Sequence, residues 1–300
     1  MKLLVTGAWK CTDEQLNDLA KLGHSIIFMQ NESDALPCDY AEVEGVIGNG
    51  LFLHHQIEKF VNLQYIQLTS VGFDRVPMDY VKANGIIINN ARGVYSVPMA
   101  EFAISGVLQL YKKCQFFYEK QKNNIWEKHR GVLELYDKSV CIIGCGNVGT
   151  ECAKRFNAFG CKVFGVDLFT REDSEYERIY PLSDIDNCLS KADIVVLTLP
   201  LTEETRHMMN EERFNLMKDK SVLVNIARGA VVDENALLKA LDNKLLGAVL
   251  DVFEQEPLEE NNPLWDKENV IITPHNSFVG DGNAKRLEKV IKENIKNYGI

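Results

Sequence analysis

Residues 140–149 read VCIIGCGNVG, an apolar run that leads into a G-x-G-x-x-G pattern and then into a helical stretch. Each glycine has a physical task in a dinucleotide-binding turn. Gly144 permits a tight turn, Gly146 lets the backbone approach a pyrophosphate, and Gly149 lets the following helix lie close to the strand. The N-terminus of that helix offers N–H groups and the positive end of its dipole to phosphate oxygens. The segment therefore predicts a strand–turn–helix unit that binds a dinucleotide.

An acidic residue follows the next predicted strand. That strand, Lys162–Val166, ends in Asp167, at about the 20-residue spacing typical of dinucleotide-binding folds. A carboxylate at this point hydrogen-bonds the ribose 2′-OH of NAD and repels the 2′-phosphate of NADP. Arg171 lies nearby, where a cation would weaken that discrimination. The sequence therefore favours NAD over NADP, and a glycine-rich turn followed by a chance aspartate is the alternative.

Short β-branched, apolar runs alternate with helical stretches along the chain, which is typical of α/β proteins with parallel sheets. One series of strands is predicted at Leu3–Thr6, Ser25–Met29, Val43–Ile47, Tyr65–Leu68 and Ile86–Ile88. A second is predicted at Ser139–Ile143, Lys162–Val166, Ile194–Leu197, Ser221–Val224, Ala248–Val252 and Val270–Thr273. A mostly uninterrupted helical pattern, Val97–Lys122, joins the two series. We therefore expect two doubly wound parallel-sheet domains, with the last helix, Asn283–Asn297, crossing back to the first.

The bulk properties restrict the class of partner. The 300 residues suffice for two domains with their own cores. A formal net charge of -10 at pH 7 argues against nucleic acid or an anionic membrane as partner, because both would repel the chain. No apolar run approaches the roughly 20 residues that span a bilayer. A small anionic substrate would need a local cluster of positive charge against this background.

The cysteines and histidines indicate a reducing compartment and no metal site. The eight cysteines include no C-x-x-C pair, and several lie in predicted core elements, where they usually behave as small buried hydrophobes. We therefore expect a cytoplasmic protein. The pair His54–His55 has no third ligand at suitable spacing, so no metal is expected.

Three polar segments follow predicted strands of the second series, on the side where open α/β sheets bind ligands. Arg228 follows one strand, and the planar fork of a guanidinium suits a carboxylate. Glu256 follows the next strand, and His275 comes directly after the last one. Taken singly, each has an ordinary structural explanation. Together with a dinucleotide motif, they predict a site with a cation for an acid substrate, an acid/base and an orienting carboxylate.

The chain resembles the D-isomer-specific 2-hydroxyacid dehydrogenase family over nearly its whole length. The matching segments, in the family's order, are Ser70–Asp74, Met99–Glu101, Gly144–Gly149, Asp167, Leu199–Thr202, Asn225–Gly229, Asp251–Pro257 and Thr273–His275. The resemblance implies reversible hydride transfer between NADH and a small 2-oxo acid. It also implies that a Rossmann NAD domain, residues 98–275, is inserted into a flavodoxin-like substrate domain, residues 1–97 plus 276–300. The resemblance further implies a homodimer, formed through the nucleotide domain and its helix after Val97.

The resemblance also implies a role for each matching residue. Arg228 would bind the substrate's carboxylate and carbonyl oxygen, and His275 would exchange a proton with that oxygen. Glu256 would orient the imidazole and favour its protonated form. Backbone N–H groups of Val71 and Gly72 would bind the carboxylate. Further substrate-binding positions are Asn49 and Ser277, and the cofactor-binding positions are Gly144, Gly146, Asn147, Val148, Gly149, Asp167, Leu199, Pro200, Thr205, Ile226, Ala227 and Asp251.

Departures from the family pattern bear on the substrate. Phosphoglycerate dehydrogenases commonly present an arginine in the loop at residues 46–50, where this chain has Gly48 and Asn49. An unphosphorylated acid such as glyoxylate, hydroxypyruvate or a branched-chain analogue is therefore favoured, unless Arg75 compensates and 3-phosphoglycerate is the substrate. After His275, the bulky Phe278 stands where many relatives carry small residues.

Two other functions on the same fold compete with this prediction. A nucleotide-sensing protein like the family's co-repressor relatives would bind NAD(H) without turnover. The intact set of Arg228, Glu256 and His275 argues against it, because a binding module needs no acid/base pair. Formate dehydrogenase is a weaker alternative, because that chemistry needs no proton donor and its relatives lack the glutamate at this place.

Overall fold

The computed structural model describes residues 1–298, and residue contacts divide the chain into two compact units. The outer unit comprises Met1–Tyr95 and Gly280–Ile300, and the inserted unit comprises Ser96–Val279. These boundaries differ by a few residues from those expected from the sequence, which are after residue 97 and after residue 275. Within residues 1–298, no helix combines the length and apolar character needed to cross a bilayer.

The outer unit contains a five-stranded parallel sheet. Its strands and the helices between them are β1 (Lys2–Thr6), α1 (Asp13–Lys21), β2 (Ser25–Met29), β3 (Gly45–Gly48), β4 (Tyr65–Leu68), α2 (Met78–Ala83) and β5 (Ile87–Asn89). The strand order is β2-β1-β3-β4-β5, the flavodoxin-like arrangement. The order reverses between β1 and β3. Ligands of open α/β sheets bind outside the carboxyl ends of the strands at such a switch point.

The inserted unit contains a seven-stranded parallel sheet of Rossmann type. Its elements are α3 (Ser96–Tyr111), α4 (Cys114–Lys122), β6 (Ser139–Ile143), α5 (Asn147–Ala158), β7 (Lys162–Asp167), β8 (Ile179–Pro181), α6 (Ile185–Leu189), β9 (Ile194–Leu197), α7 (Glu211–Leu216), β10 (Val222–Asn225), α8 (Glu234–Asn243), β11 (Gly247–Leu250) and β12 (Val270–Ile272). The strand order is β12-β11-β10-β9-β6-β7-β8, and the switch point lies between β6 and β9. The predicted fold class, two doubly wound parallel sheets, is confirmed.

The prediction of one helix over Val97–Lys122 is wrong. The structure has two helices there, because Lys113 adopts a left-handed conformation with φ 54°. The main-chain N–H of Leu133 donates to the Tyr111 carbonyl at 2.9 Å, and Lys112 Nζ donates to the Leu133 carbonyl at 2.7 Å. A later part of the chain thus binds the carbonyl at which α3 ends. The two helices also differ in burial, since α3 carries many buried residues and α4 none.

The last helix, α9 (Asn283–Tyr298), returns to the outer unit as expected. Its buried side chains, Leu287, Ile291 and Ile295, recur every four residues and pack in one cluster with residues of β1 and β3. Lys292 Nζ donates to Asp18 Oδ2 of α1 at 2.8 Å. Hydrogen bonds from Lys292 and Lys21 lower the pKa of Asp18 to about 2, so this carboxyl stays charged at any physiological pH.

Candidate active site

The glycine-rich loop lies at the switch point of the inserted sheet. Gly144 follows β6 with φ 99°, and its N–H donates to the Val166 carbonyl at 2.8 Å. A Cβ at Gly144 would stand 2.7 Å from the main-chain nitrogen of Leu199, which follows β9. Both the left-handed backbone and this close approach require glycine. The loops after β6 and β9 therefore meet where the strand order reverses.

The start of α5 leaves space for a phosphate group. A Cβ at Gly149 would stand 2.2 Å from the Gly144 carbonyl oxygen, so the helix backbone packs directly on the loop. Gly146, the residue before the helix, has no atom within 4 Å of a built Cβ, and no side chain caps the helix there. Asn147 and Val148 open the first turn. The residues present thus fit a pyrophosphate at a helix N-terminus.

Asp167 ends β7 and holds the glycine-rich loop. Its Oδ2 accepts a hydrogen bond from the main-chain N–H of Cys145 at 2.7 Å. Arg171 Nη2 donates to the Cys145 carbonyl at 2.5 Å and pairs with Asp173 at 3.1 Å. Burial raises the pKa of the Cys145 thiol to about 12, so the thiol adds no charge to the loop. One carboxylate and one paired guanidinium therefore flank the place predicted for the ribose.

The loop after β9 contains the predicted positions Leu199, Pro200 and Thr205. Thr205 is buried; its hydroxyl donates to the Pro200 carbonyl at 2.8 Å and accepts from the Thr202 N–H at 2.7 Å. The hydroxyl of Thr198 donates to the Gly144 carbonyl at 2.6 Å. The Thr198 bond holds the loop after β9 against the glycine-rich loop. The Thr205 bonds fix the conformation of the loop after β9 itself.

A tight turn after β10 carries Arg228. The buried Asn225 side chain accepts from the Ala227 N–H and donates to the Arg228 carbonyl, both at 3.1 Å. Ile226 and Ala227 are buried, while the Arg228 side chain is exposed and its Nη1 donates to the Ala227 carbonyl at 2.7 Å. The sequence analysis assigned no role to Asn225, although the pattern N-x-x-R contains the signal for this turn.

Gly229 brings the Arg228 turn onto the backbone that follows β11. A Cβ at Gly229 would stand 1.8 Å from the carbonyl carbon of Phe253 and 2.4 Å from the main-chain nitrogen of Glu254. Contacts this short exclude every residue except glycine. The loop of Arg228 and the loop that leads to Glu256 are therefore in direct backbone contact.

His275 and Glu256 form a hydrogen-bonded pair. His275 Nδ1 lies 2.8 Å from Glu256 Oε2, with the two side chains 43% and 37% exposed. Glu256 Oε1 accepts from the Phe253 N–H at 3.1 Å, which orients the carboxylate. Because an ionised carboxylate only accepts, Nδ1 is the donor, and Nε2 is the nitrogen that can exchange a proton with a ligand. The ring of Phe278 stands edge-on to the imidazole, with centroids 6.1 Å apart.

The buried carboxylate of Asp251 fastens the segment that carries His275. Its Oδ1 accepts from Thr273 Oγ1 at 2.6 Å and from the Asn276 N–H at 2.7 Å, and its Oδ2 accepts from the Ser277 N–H at 2.9 Å. The Asp251 carbonyl also accepts from the His275 N–H at 2.8 Å. Sequence reasoning assigned Asp251 and Ser277 to ligands and did not foresee these contacts, which depend on the pairing of β11 with β12.

The predicted substrate positions of the outer unit follow neighbouring strands. Asn49 follows β3, and Val71 and Gly72 follow β4. Asn90 Nδ2 donates to the Val71 carbonyl at 2.7 Å and holds this turn. No residue in the described part of the chain accepts a hydrogen bond from the N–H of Val71 or Gly72. These are two backbone donors at the carboxyl end of the sheet, as the binding of a carboxylate requires.

Metal ligation has no candidate in the described part of the chain. Residues 1–298 contain no cluster of three histidine, cysteine, aspartate or glutamate side chains that could hold an ion. His55 is instead hydrogen-bonded to Tyr40, at 2.9 Å, and to the Glu32 carbonyl, at 3.0 Å.

Comparison with known proteins gives the same family from independent matches. Residues 104–277 match the family model described as D-isomer specific 2-hydroxyacid dehydrogenase, NAD binding domain. A glyoxylate reductase of Thermofilum pendens is 35% identical over 243 residues, which cover 78% of this chain and 71% of that protein. A D-3-phosphoglycerate dehydrogenase of Methanocaldococcus jannaschii is 35% identical over 243 residues, which cover 80% of this chain and 46% of that protein. A D-lactate dehydrogenase of Aquifex aeolicus, complexed with NAD and lactic acid, aligns with a TM-score of 0.76 at 29% identity, over 99% of this chain and 95% of that chain.

Replacing Asp251 by asparagine tests the fastening of the His275 segment. In Asp251→Asn an NH2 group replaces one acceptor, so one of three donors is left unpaired in a buried site. We expect the free energy of unfolding to fall by about 1–3 kcal/mol in urea titrations followed by tryptophan fluorescence. The exposed Asp184→Asn is the matched control and should unfold like the wild type. Equal stability of Asp251→Asn and the control would show that the carboxylate does not hold this segment.

Proposed function

The chain belongs to the D-isomer-specific 2-hydroxyacid dehydrogenase family, and on that basis we propose that it reduces a small unphosphorylated 2-oxo acid to the D-2-hydroxy acid, reversibly and with NADH. The observation that carries this proposal is the pair His275–Glu256, 2.8 Å apart at the carboxyl edge of the Rossmann sheet. A module that only bound a nucleotide would need no oriented acid/base there.

The proton transfer is the task of His275. Its Nε2–H donates a proton to the carbonyl oxygen as the carbon is reduced, and the neutral Nε2 takes the proton back in the reverse reaction. Glu256 accepts from Nδ1, which fixes the orientation of the imidazole ring. Phe253 acts as a positioning residue, because its N–H holds the other carboxylate oxygen.

The carboxylate of the substrate requires donors, and three residues supply them in this proposal. One of the five N–H groups of Arg228 donates to the Ala227 carbonyl. The other N–H groups remain available to the carboxylate and the carbonyl oxygen of the substrate. Val71 and Gly72 add two backbone N–H groups that no described residue uses. Local donors of this kind overcome the repulsion between an anionic substrate and a chain of net charge -10.

The cofactor sites are assigned by their fit to a dinucleotide. The open N-terminus of α5 at Gly146 is suited to the pyrophosphate, and Asp167 to the ribose hydroxyls. Leu199, Pro200, Ile226 and Ala227 follow β9 and β10, on the edge that would face the rest of the nucleotide. Asp251 is assigned to the carboxamide, to which it can offer the acceptor capacity left by its three bonds. When bound, NADH supplies the hydride for the carbonyl carbon.

The substrate is proposed to be glyoxylate or hydroxypyruvate. The relatives named above include a glyoxylate reductase and a phosphoglycerate dehydrogenase, so the family alone leaves this choice open. Gly48, the last residue of β3, and Asn49, which follows it, stand in place of a phosphate-binding cation. The absence of an arginine there favours an unphosphorylated acid. 3-Phosphoglycerate stays the alternative substrate, with Arg75 as its possible cation.

We also propose that the chain forms a homodimer through α4 and the residues that follow it, up to Trp126. The helix buries none of its residues, and the aromatic side chains of Phe117, Tyr118 and Trp126 are exposed, Trp126 to 98%. A cluster of exposed large apolar side chains usually marks an interface. A second copy of the chain is the proposed occupant, because a twofold interface would bury both copies of Trp126 at once.

A reducing compartment, such as the cytoplasm, suits the cysteines. All eight are free thiols, and five of them are buried. In an oxidising compartment exposed thiols such as that of Cys114 would be prone to pairing. We therefore propose a cytoplasmic location.

Substituting His275 tests the assigned chemistry. His275→Gln removes the proton donor, so kcat/KM for NADH-dependent reduction of glyoxylate and hydroxypyruvate should fall by about 10²–10⁴-fold. NADH binding, followed by fluorescence titration, should be unchanged, because the glycine-rich loop is intact.

Arg228→Gln should also lower kcat/KM, mainly through KM for the oxo acid, since it removes the carboxylate's cation.

His207→Gln is the matched control. His207 Nε2 pairs with Glu254 Oε2 at 3.0 Å in the same kind of exposed imidazole–carboxylate contact. The control variant should turn over like the wild type. Near-wild-type turnover by His275→Gln would contradict the mechanism. A wild type that binds NADH but reduces none of the acids would indicate a nucleotide-sensing protein.

The cofactor preference is expected to depend on the charge of Asp167. Asp167→Asn keeps an oxygen to accept from the Cys145 N–H but no longer repels a 2′-phosphate. We expect the ratio of kcat/KM for NADH to that for NADPH, high in the wild type, to fall on the order of tenfold or more. Asp184→Asn, with the same loss of charge on the surface, should leave the ratio unchanged. An unchanged ratio in Asp167→Asn would refute the assignment.

Sedimentation velocity tests the proposed dimer. The wild type should sediment as a species of twice the 34.0 kDa chain mass. Trp126→Glu places a charge in the proposed interface and should shift the protein to monomer. Leu53→Glu, at another exposed apolar residue, should stay dimeric. A monomeric wild type, or a dimeric Trp126→Glu, would contradict the proposed interface.

A further inference from the structure

The carboxylate of Glu32 lies across the switch point of the outer sheet. Its Oε1 accepts from Thr6 Oγ1 at 2.8 Å, at the end of β1, and from the Asn49 N–H at 2.7 Å, just after β3. Its Oε2 accepts from the Gly50 N–H at 2.7 Å. The two strands between which the order reverses are thus joined by one negative charge, at the place where sheets of this kind bind ligands.

The surrounding chain is built to hold this carboxylate. A Cβ at Gly48 would stand 2.6 Å from Glu32 Oε1, so glycine is needed there. The Glu32 carbonyl accepts from Nε2 of the buried His55 at 3.0 Å, and the hydroxyl of Tyr40 donates to His55 Nδ1 at 2.9 Å. Both the main chain and the side chain of Glu32 are therefore fixed, and its charge has a defined position.

Two successive N–H groups after a strand form a concavity that attracts anions. In this chain the anion is internal, because Glu32 already binds the N–H groups of Asn49 and Gly50. The neighbouring strand β4 leads to Val71 and Gly72, and the Thr69 N–H donates to the Gly48 carbonyl at 2.9 Å, which keeps the two loops adjacent. A substrate carboxylate on Val71 and Gly72 would therefore lie beside the charge of Glu32.

One cation lies near this loop. The Cδ atom of Arg75 is 3.9 Å from a Cβ built at Gly50. Its side chain is exposed, and its guanidinium forms no ion pair or hydrogen bond with residues 1–298. Arg75 is thus not anchored against Glu32, whereas Glu32 is held by three hydrogen bonds. Of these two charges, the one held in a fixed position is therefore the negative charge of Glu32.

We propose that Glu32 makes the substrate site selective for 2-oxo acids whose side group is uncharged. A fixed carboxylate next to the bound substrate repels a second anion, such as a phosphate, and it also occupies the N–H groups that would bind that anion. The carboxylate common to all 2-oxo acids meets the same repulsion in every substrate, and an uncharged side group, the hydrogen of glyoxylate or the hydroxymethyl group of hydroxypyruvate, adds none. This inference rests on the proposed function, and it assigns Glu32 to specificity rather than to the chemical step.

The test compares hydroxypyruvate with phosphohydroxypyruvate, which differ by the phosphate alone. The wild type should favour hydroxypyruvate in kcat/KM by at least about tenfold, the effect of one close repulsion between like charges. Glu32→Gln should raise kcat/KM for phosphohydroxypyruvate by about tenfold more than kcat/KM for hydroxypyruvate, because both acids lose the repulsion of their common carboxylate and only the phosphate loses a further one. Asp34→Asn, an exposed aspartate two residues along the chain, is the matched control and should leave the ratio unchanged.

Three results would overturn the inference. A wild type that uses phosphohydroxypyruvate as well as hydroxypyruvate contradicts it, even if Glu32→Gln does not fold. An unchanged ratio in Glu32→Gln contradicts it as well. So does a wild-type preference for phosphohydroxypyruvate that Arg75→Gln abolishes, because Arg75 would then be a phosphate ligand.

A binding measurement separates failure of this inference from failure of the proposed function. If the wild type reduces neither acid, the proposed function is wrong, and thermal unfolding with inorganic phosphate decides the role of Glu32. Phosphate should raise the Tm of Glu32→Gln more than that of the wild type, because the charge has gone and N–H donors are released. Equal shifts in the two proteins would refute the role of Glu32.

Discussion

The carboxylate of Asp251 is the interaction on which the acid/base pair depends. It is fully buried at the end of β11, and it accepts hydrogen bonds from three groups of the segment Thr273–Ser277. Within that segment His275 has a φ of 49°, in the left-handed region that residues other than glycine adopt uncommonly. The same loop after β11 continues to Glu256. One strand end therefore determines the position of both partners in the His275–Glu256 hydrogen bond.

Parallel strands explain why the remaining residues collect at the same edge. Gly144, Arg228 and His275 follow β6, β10 and β12, and all carboxyl ends of a parallel sheet lie on one side. Two glycines allow neighbouring loops to pack in backbone contact, because Gly144 packs against Leu199 and Gly229 against Phe253. The outer sheet has the same kind of edge, but there the charge of Glu32 joins β1 to β3. The carboxyl edge at the switch point thus serves different tasks in the two sheets.

Local patterns were enough to predict most of the fold, and tertiary contacts account for the rest. The strands Ser139–Ile143 and Ile194–Leu197 have the predicted bounds because continuous apolar runs identify buried parallel strands. The end of α3 was missed because it depends on Leu133, far along the chain. Strand β8 (Ile179–Pro181) was missed because it has one β-branched residue and ends in a proline, so it lacks the apolar run by which the other strands were identified. No sequence pattern marks Glu32, whose partners come from two other strands.

The proposed D-specific hydride transfer can be measured by reducing hydroxypyruvate with NADH and determining the chirality of the glycerate formed. We expect one glycerate for each NADH oxidised, and all of it the D enantiomer, because the hydride and the proton of His275 reach the carbonyl in one fixed geometry. L-glycerate, a racemic product, or NADH oxidation without glycerate would contradict the assignment of this chain as a D-2-hydroxyacid dehydrogenase that uses His275 as its proton donor.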